Sequence, residues 1–284
     1  MTAVEELEIR VKAIEQFLQM PQHAPAHRMY VGINADAATV RVSEVLEVGA
    51  RFCRFPVWAD LFTDRVQSFR AYERFAAELF TAHVEPLIVC DGRSWANDDY
   101  PVWARLPVHY VQMGNEWDIL GMSSFTQSAK QFSADLAWAR AWFDYHRPDA
   151  TPKRYLIAGG AASGHEWLLN DVDLTPVDAI AVHPYGQRAD GYPTAGWGHG
   201  ELRDLIRRYK IHHKPVWVTE FGVQDNEMDQ AEQAEYIRRC LTIMEEEGVI
   251  GAFWYCLSPL MHPLYGLDQG PALEAFREEA LRRA

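Results

Sequence analysis

The chain has 284 residues, 48% of them hydrophobic, enough for one sizeable core and close to the roughly 250 typical of a single α/β barrel. Its 27 Lys plus Arg against 40 Asp plus Glu leave a formal charge of −13, which repels phosphate backbones and anionic lipid surfaces, so nucleic acid and membranes are not expected partners. No apolar run is long enough to span a bilayer.

The opening stretch MTAVEELEIRVKAIEQFL is charged and helix-patterned, without the basic region and apolar run of an export signal. Val4, Leu7, Ile9, Val11, Ile14, Phe17 and Leu18 recur at helical spacing before Pro21, so residues 3–19 are predicted to form an extra helix covering the bottom of the domain, with 1–28 as its lead-in. From residue 29 onward, eight β-branched or aromatic runs follow one another: MYVGINA (29–35), RFCRFPV (51–57), EPLIVCDG (85–92), VHYVQMGNE (108–116), YLIAGG (155–160), AIAVHPYG (179–186), PVWVTEFG (215–222) and GAFWYCL (251–257). Amphipathic stretches such as RVQSFRAYERFAAELFTAH and QAEQAEYIRRCLTIMEEEG lie between them, with apolar residues at three- and four-residue intervals. Strands alternating strictly with helices indicate a parallel sheet, and a count of eight favours closure into a (β/α)8 barrel over the runner-up, an open doubly wound sheet. No linker, low-complexity tract or further repeat divides the chain, so residues 1–284 are read as one catalytic domain, with the barrel over 29–284.

In a parallel barrel, functional side chains gather at the C-terminal strand ends and in the loops that follow. Those positions hold Asn34 and Asp36 after the first run, Arg54 and Trp58 at the second, Asp91 and Trp95 after the third, and Asn115, Glu116 and Trp117 after the fourth. They continue with Trp167 beyond the fifth, His183 and Tyr185 at the sixth, Trp197 in the next loop, Glu220 at the seventh and Trp254 at the eighth. Two features stand out. The carboxylates Glu116 and Glu220 close runs four and seven, nearly opposite each other, as glycosidic bond cleavage requires: one carboxylic acid protonates the leaving oxygen while a carboxylate stabilises or attacks the anomeric carbon. Six of the ten tryptophans (58, 95, 117, 167, 197 and 254) also fall on this face, where rings stack on the apolar faces of sugars.

Other chemistries lack their residues. Cys53, Cys90, Cys240 and Cys256 are widely spaced and read as buried free thiols. With no CxxC or HExxH, and with His212 and His213 lacking a clear third ligand, no metal is predicted. Gly159-Gly160 and Gly196-Trp197-Gly198 are too short and misplaced for a dinucleotide loop, so no cofactor is expected. None of the eight runs contains a lysine, which disfavours Schiff-base chemistry of the aldolase kind.

Gly114-Asn115-Glu116-Trp117 closing run four and Thr219-Glu220-Phe221-Gly222 closing run seven resemble the clan of retaining (β/α)8 glycosidases that includes family five cellulases and mannanases and family 39 xylosidases. The resemblance implies Glu116 as acid/base and Glu220 as nucleophile. It likewise implies Arg54 as the clan's arginine near the nucleophile, His183 with Tyr185 as its strand-six pair, and Trp254 as its strand-eight tryptophan on the sugar-binding floor. Cellulase-type members often carry a histidine near the end of strand three, whereas Cys90-Asp91-Gly92-Arg93 stands here, which leaves the family within the clan open.

The roles have physical reasons. Glu220 must be ionised to attack, with Arg54 and Tyr185 expected to hold it so; Glu116 must start protonated, in a partly desolvated site; Asn115 is expected to bond a sugar 2-hydroxyl. His183 is read either as orienting the acid/base or as a satisfied structural histidine. With Asn34, Asp91, Trp58, Trp117 and Trp197 completing the cleft, the expected partner is an oligo- or polysaccharide, taken by an endo-acting enzyme on a β-linked glucan, mannan or xylan. An exo-acting β-glycosidase and a carbohydrate-binding barrel without catalysis are the competing readings.

Overall fold

A computed structural model describes residues 29–57, 65–90, 106, 108–119, 128–145, 154–162, 164–191, 200–267 and 269–284. The expected helix at residues 3–19 lies outside them. Eight strands form a closed barrel in sequential order: β1 (Tyr30–Asn34), β2 (Phe52–Val57), β3 (Glu85–Cys90), β4 (Tyr110–Met113), β5 (Tyr155–Ala158), β6 (Ala179–Val182), β7 (Val216–Phe221) and β8 (Gly251–Trp254). Every neighbouring pair is parallel, and β8 closes on β1 through Tyr30 opposite Gly251 and Ile33 opposite Trp254. Each of the eight runs read from the sequence contains one of these strands.

Helices α1 (Val42–Glu47), α2 (Arg65–Thr81), α3 (Ala129–Tyr145), α4 (Leu202–Lys210), α5 (Gln230–Glu246) and α6 (Gly270–Arg283) lie between or after the strands, and a 3₁₀ helix spans Glu166–Asp171. The start of α5 illustrates local encoding: Asp229 accepts from the backbone N–H groups of Ala231 and Glu232 while the Glu232 carboxylate accepts from Asp229 N–H, a reciprocal cap that fixes the first turn.

Because strand side chains alternate, each strand feeds two separate cores. Phe52, Leu87, Val89, Ile157, Ala179, Ala181, Trp217 and Phe253 pack together inside the barrel. The Phe52 and Trp217 rings meet across it at 5.8 Å, though their strands are far apart in the order. The alternate set, including Ile33, Cys53, Phe55, Ile88, Val111, Met113, Ile180, Val218 and Trp254, faces the helices. Cys53, Cys90, Cys240 and Cys256 are all buried free thiols.

Two glycines make closure possible. A Cβ on Gly32 would sit 2.4 Å from the Phe253 ring, and one on Gly159 would sit 2.1 Å from the Gly114 carbonyl oxygen. The first lets an aromatic fill the barrel; the second lets the chain leaving β5 pass against the segment that carries Asn115 and Glu116.

Candidate active site

Glu116 is not on β4 itself. The strand ends at Met113, and Gly114, at φ 79°, turns the chain so that Glu116 follows at φ 44°, a left-handed conformation uncommon for a residue with a side chain. Hydrogen bonds over-determine this turn: Gly114 N–H donates to Cys90 O at 2.7 Å and Glu116 N–H to Gly160 O at 3.1 Å. Glu220 sits within β7, where the register with β8 shifts between Val218 and Phe221, so that Thr219 and Glu220 both reach the interior.

The two carboxylates are brought together with His183. One ligand atom from each of Glu116, His183 and Glu220 lies within 4.8 Å of the others, and all three residues are buried. His183 Nδ1 is 3.1 Å from Glu116 Oε1, while its Nε2 is 3.0 Å from Thr219 Oγ1 and 3.8 Å from Glu220 Oε1.

Arg54 organises the other side of Glu220. Its Nη1 donates to Glu220 Oε1 at 2.8 Å and to Asn34 Oδ1 at 2.5 Å, its Nη2 to Asn115 Oδ1 at 2.6 Å, and its Nε to Gln112 Oε1 at 3.1 Å. The Tyr185 hydroxyl donates to Glu220 Oε2 at 2.9 Å. Burial pushes the Glu220 carboxyl up, but the neighbouring His183 ring and Arg54 guanidinium and the hydrogen bonds from Tyr185 and Arg54 outweigh it and hold it below the ordinary value. Tyr185 is raised well above its usual value by burial and by the Glu220 charge, which keeps it a neutral donor. Glu116, His183 and Glu220 are also the one group among the described residues with metal-ligand spacing. A guanidinium already at contact distance from Glu220 opposes a second cation there, so the donor set fits acid, base and nucleophile chemistry better than metal binding.

Three expectations are corrected. Asn34 does not face substrate: it is 1% exposed, its Oδ1 accepts from Arg54, and its amide donates to Thr219 O and Trp254 O, so it is spent on holding β2, β7 and β8 in register with the guanidinium. Trp117 is buried behind the turn that carries Glu116, its ring stacked on Phe132 at 4.5 Å and its Nε1 donating to Gly159 O. Trp254 falls on the outward parity of β8, where it meets Phe221 at 5.2 Å and donates to Tyr265 O. Phe253 points inward, so parity sends Tyr255 inward instead. Tyr255 joins Tyr185, His262 and Tyr265 in an aromatic cluster with ring separations of 4.9–6.3 Å. Burial and the Glu220 charge raise the Tyr255 hydroxyl.

Of the other expected positions, Trp58, Asp91, Trp95 and Trp197 lie outside the described residues. Asp36 accepts from Ala38 N–H in a turn, and Trp167, on the 3₁₀ helix, is 59% exposed. Sequence reasoning passed over Gln112, Thr219, Tyr255 and Tyr265. For the first three a signal existed, since each is polar or amphipathic at the inward parity of a strand or its immediate continuation; Tyr265 arrives by a loop and had none.

Residues 109–271, over half of the chain, match a family model described as glycosyl hydrolase catalytic core. No curated protein matches the chain significantly in sequence. Among solved structures, the chain is similar to a family 128 (subgroup I) endo-β-1,3-glucanase mutant from Amycolatopsis mediterranei in complex with laminarihexaose (TM-score 0.60, 19% identity, covering 88% of this chain and 99% of that one). It is also similar to an endo-1,4-β-mannanase from Rhizomucor miehei (TM-score 0.62, 11% identity, 89% and 94% covered). A third is a family 39 glycoside hydrolase from Bacteroides cellulosilyticus WH2 (TM-score 0.60, 17% identity, 89% and 64% covered).

Proposed function

This chain belongs to the glycosyl hydrolase catalytic-core family and is a glycoside hydrolase; from that premise we propose that it cleaves β-linked glycosidic bonds with retention of configuration, Glu220 acting as nucleophile and Glu116 as acid/base. The observation that carries this reading is the closeness of the two carboxylates, with oxygens within 4.8 Å of each other. Retaining enzymes hold their carboxyl groups about 5–5.5 Å apart, whereas inverting enzymes need about 6.5–9.5 Å to admit a water.

In the first step Glu116 delivers its proton to the leaving oxygen as Glu220 attacks the anomeric carbon. Arg54 and Tyr185 support an ionised Glu220 by engaging one oxygen each. In the second step Glu116, now a carboxylate, takes a proton from the water that attacks the glycosyl-enzyme, and Glu220 leaves. Asn115 has its oxygen engaged by Arg54, so its amide hydrogens remain for a sugar hydroxyl beside the reacting centre. Tyr255 and Tyr265, rather than Trp254, offer rings to a bound sugar.

Endo action on a β-glucan, mannan or xylan is the substrate reading we favour. Endo-glucanase and endo-mannanase among the structural relatives support that range, with the family 128 relative bound to a laminari-oligosaccharide. The test is hydrolysis of a panel of β-1,3- and β-1,4-linked glucans, mannans and xylans with product configuration followed by NMR. The first-formed anomer should keep the β configuration; initial release of the α anomer refutes retention. A matched 2-fluoro glycoside should label Glu220, and a label mapped to another residue removes it from the nucleophile role. Glu220→Ala should abolish turnover. Glu116→Ala should cost on the order of 10²–10⁴ for poor leaving groups but far less for activated aryl glycosides, and equal losses on both would take Glu116 out of the acid role.

A further inference from the structure

The hydrogen-bond chain running from Glu116 through His183 to Thr219 has a direction that the proton inventory decides. His183 is 1% exposed, and the Thr219 side chain that meets its Nε2 is completely buried, so water cannot stand in for either partner. A neutral imidazole carries one N–H, and the partner of one nitrogen decides what the other does. Glu116 Oε1 is taken up by His183 Nδ1 at 3.1 Å. For the acid to present its proton to a leaving group, that proton must sit on Oε2, with Oε1 accepting from the ring. Nδ1 then carries the ring hydrogen and Nε2 is a lone pair that needs a donor. Among the described residues, the hydroxyl that meets it is Thr219 Oγ1 at 3.0 Å.

We propose that Thr219 is a positioning residue: by donating its hydroxyl hydrogen to His183 Nε2 it holds the imidazole in the Nδ1–H form, which in turn keeps the acid proton of Glu116 on the oxygen that faces the substrate. The opposite form would turn an Nδ1 lone pair on Glu116 Oε1 and draw the acid proton onto that oxygen, away from the scissile bond. Thr219 is suited to the task because it precedes Glu220 on β7, and its own carbonyl is fixed by Asn34 Nδ2 at 3.0 Å. Among the described residues, the titratable and charged groups facing this chain are Glu220, Arg54 and Tyr185, with Tyr209, Tyr255 and Tyr265 acting on Glu116 from α4 and the segment after β8. None of these offers His183 Nε2 a closer hydroxyl donor. Without Thr219, the nearest remaining partner among the described residues is the Glu220 carboxylate at 3.8 Å, an acceptor, which favours hydrogen on Nε2 instead.

The inference rests on Glu116 being the acid, so its test is made on the free enzyme, where turnover plays no part. Uniformly ¹⁵N-histidine-labelled protein is examined by long-range ¹H–¹⁵N correlation, with the His183 signals identified by their loss in His183→Gln. The wild type and Thr219→Ser should show the Nδ1–H form; Thr219→Val, close in shape but without the hydroxyl, should show hydrogen on Nε2 or on both nitrogens. A wild-type ring protonated on Nε2 or on both nitrogens, or an unchanged tautomer in Thr219→Val, overturns the proposal. On aryl β-glycosides of graded leaving-group pKa, Thr219→Val should lose on the order of tenfold more rate with the poorest leaving group than with the best, and Thr219→Ser should recover it. Equal losses across the series also overturn it. A failure of the acid assignment itself shows separately, as equal losses across the same series in Glu116→Ala.

Discussion

At the scale of single residues, Arg54 is the member of the site with the most to hold. It serves four acceptors from three different strands and the turn that follows one of them, and it is 3% exposed, so those bonds are shielded from bulk water. Arg54→Lys keeps the charge but replaces a planar fork with a compact ammonium of three donors, which cannot reach Asn34, Gln112, Asn115 and Glu220 together. The expected result is a fall in kcat on the order of 10²-fold, measured with the best substrate found by screening. Tyr185→Phe makes a sharper statement about pH. The hydroxyl stabilises the ionised form of Glu220, so its loss raises that carboxyl, and the acid limb of kcat/KM should move to higher pH by about one to two units. A limb that stays in place would detach it from Glu220. Arg54, His183, Tyr185 and both glutamates were legible in the sequence because polar residues at barrel strand ends have few other reasons to be there. The error over Trp254 and Tyr255 came from reading residue type ahead of parity: a tryptophan looked like a sugar platform, but the alternation beginning at Phe253 had already assigned it to the helix side.

At the scale of elements, the turn after β4 that carries Glu116 depends on the chain leaving β5. Gly159 N–H donates to Met113 O, Gly160 O accepts from Glu116 N–H, and Gly159 O accepts from Trp117 Nε1, so three contacts hold the turn in its left-handed conformation. A methyl group at Gly159 would press on backbone atoms of Gly114, which cannot rotate away. Gly159→Ala should therefore destabilise by about 1–3 kcal/mol and displace Glu116 as well. The expected signature is a lower Tm with a loss of activity that persists well below that Tm; an active variant of lowered Tm would show that the turn tolerates the shift. The strand runs themselves were readable, and the observed ends of β4, β5, β6 and β8 fall short of the predicted ones by two to four residues, at Gly114, at Gly159, before Pro184 and at Tyr255. A run of apolar residues fixes which face a strand buries, but where its ladder stops depends on how far the neighbouring strand extends.

At the scale of the molecule, α4 and α5 are tied on the outside of the barrel by Glu247. Its carboxylate accepts from Arg203 at 3.1 Å, Arg207 at 2.8 Å and Lys210 at 3.2 Å. Burial raises this carboxyl, but the hydrogen bonds from Arg207, Arg203 and Lys210 prevail and bring it down to about 2. A carboxyl lowered in the folded state adds stability that is complete above its unfolded value of about 4.3 and disappears as pH falls toward the folded value. Because the basic partners are partly exposed, the contribution should be on the order of 1 kcal/mol, and Glu247→Gln should lower Tm by about 2–4 °C at neutral pH. Thermal melts from pH 7 to pH 2 should show the gap between the two proteins closing on the acid side; a gap that is constant with pH would point to packing rather than charge.

Periodicity and order along the chain determined the architecture by themselves, because a strict alternation of buried strands and amphipathic helices has few ways to bury both kinds of surface, and eight repeats satisfy closure. They also located the acidic pair, since strand order fixes which ends face one mouth. Only the tertiary structure decided the approach of the carboxylates to within 4.8 Å, the enclosure of Arg54 by Asn34, Gln112 and Asn115, and the placing of Thr219 against His183. These arise between residues up to 104 positions apart, as Glu116 and Glu220 are, where sub-ångström register and a β-bulge, rather than residue type, set the distances.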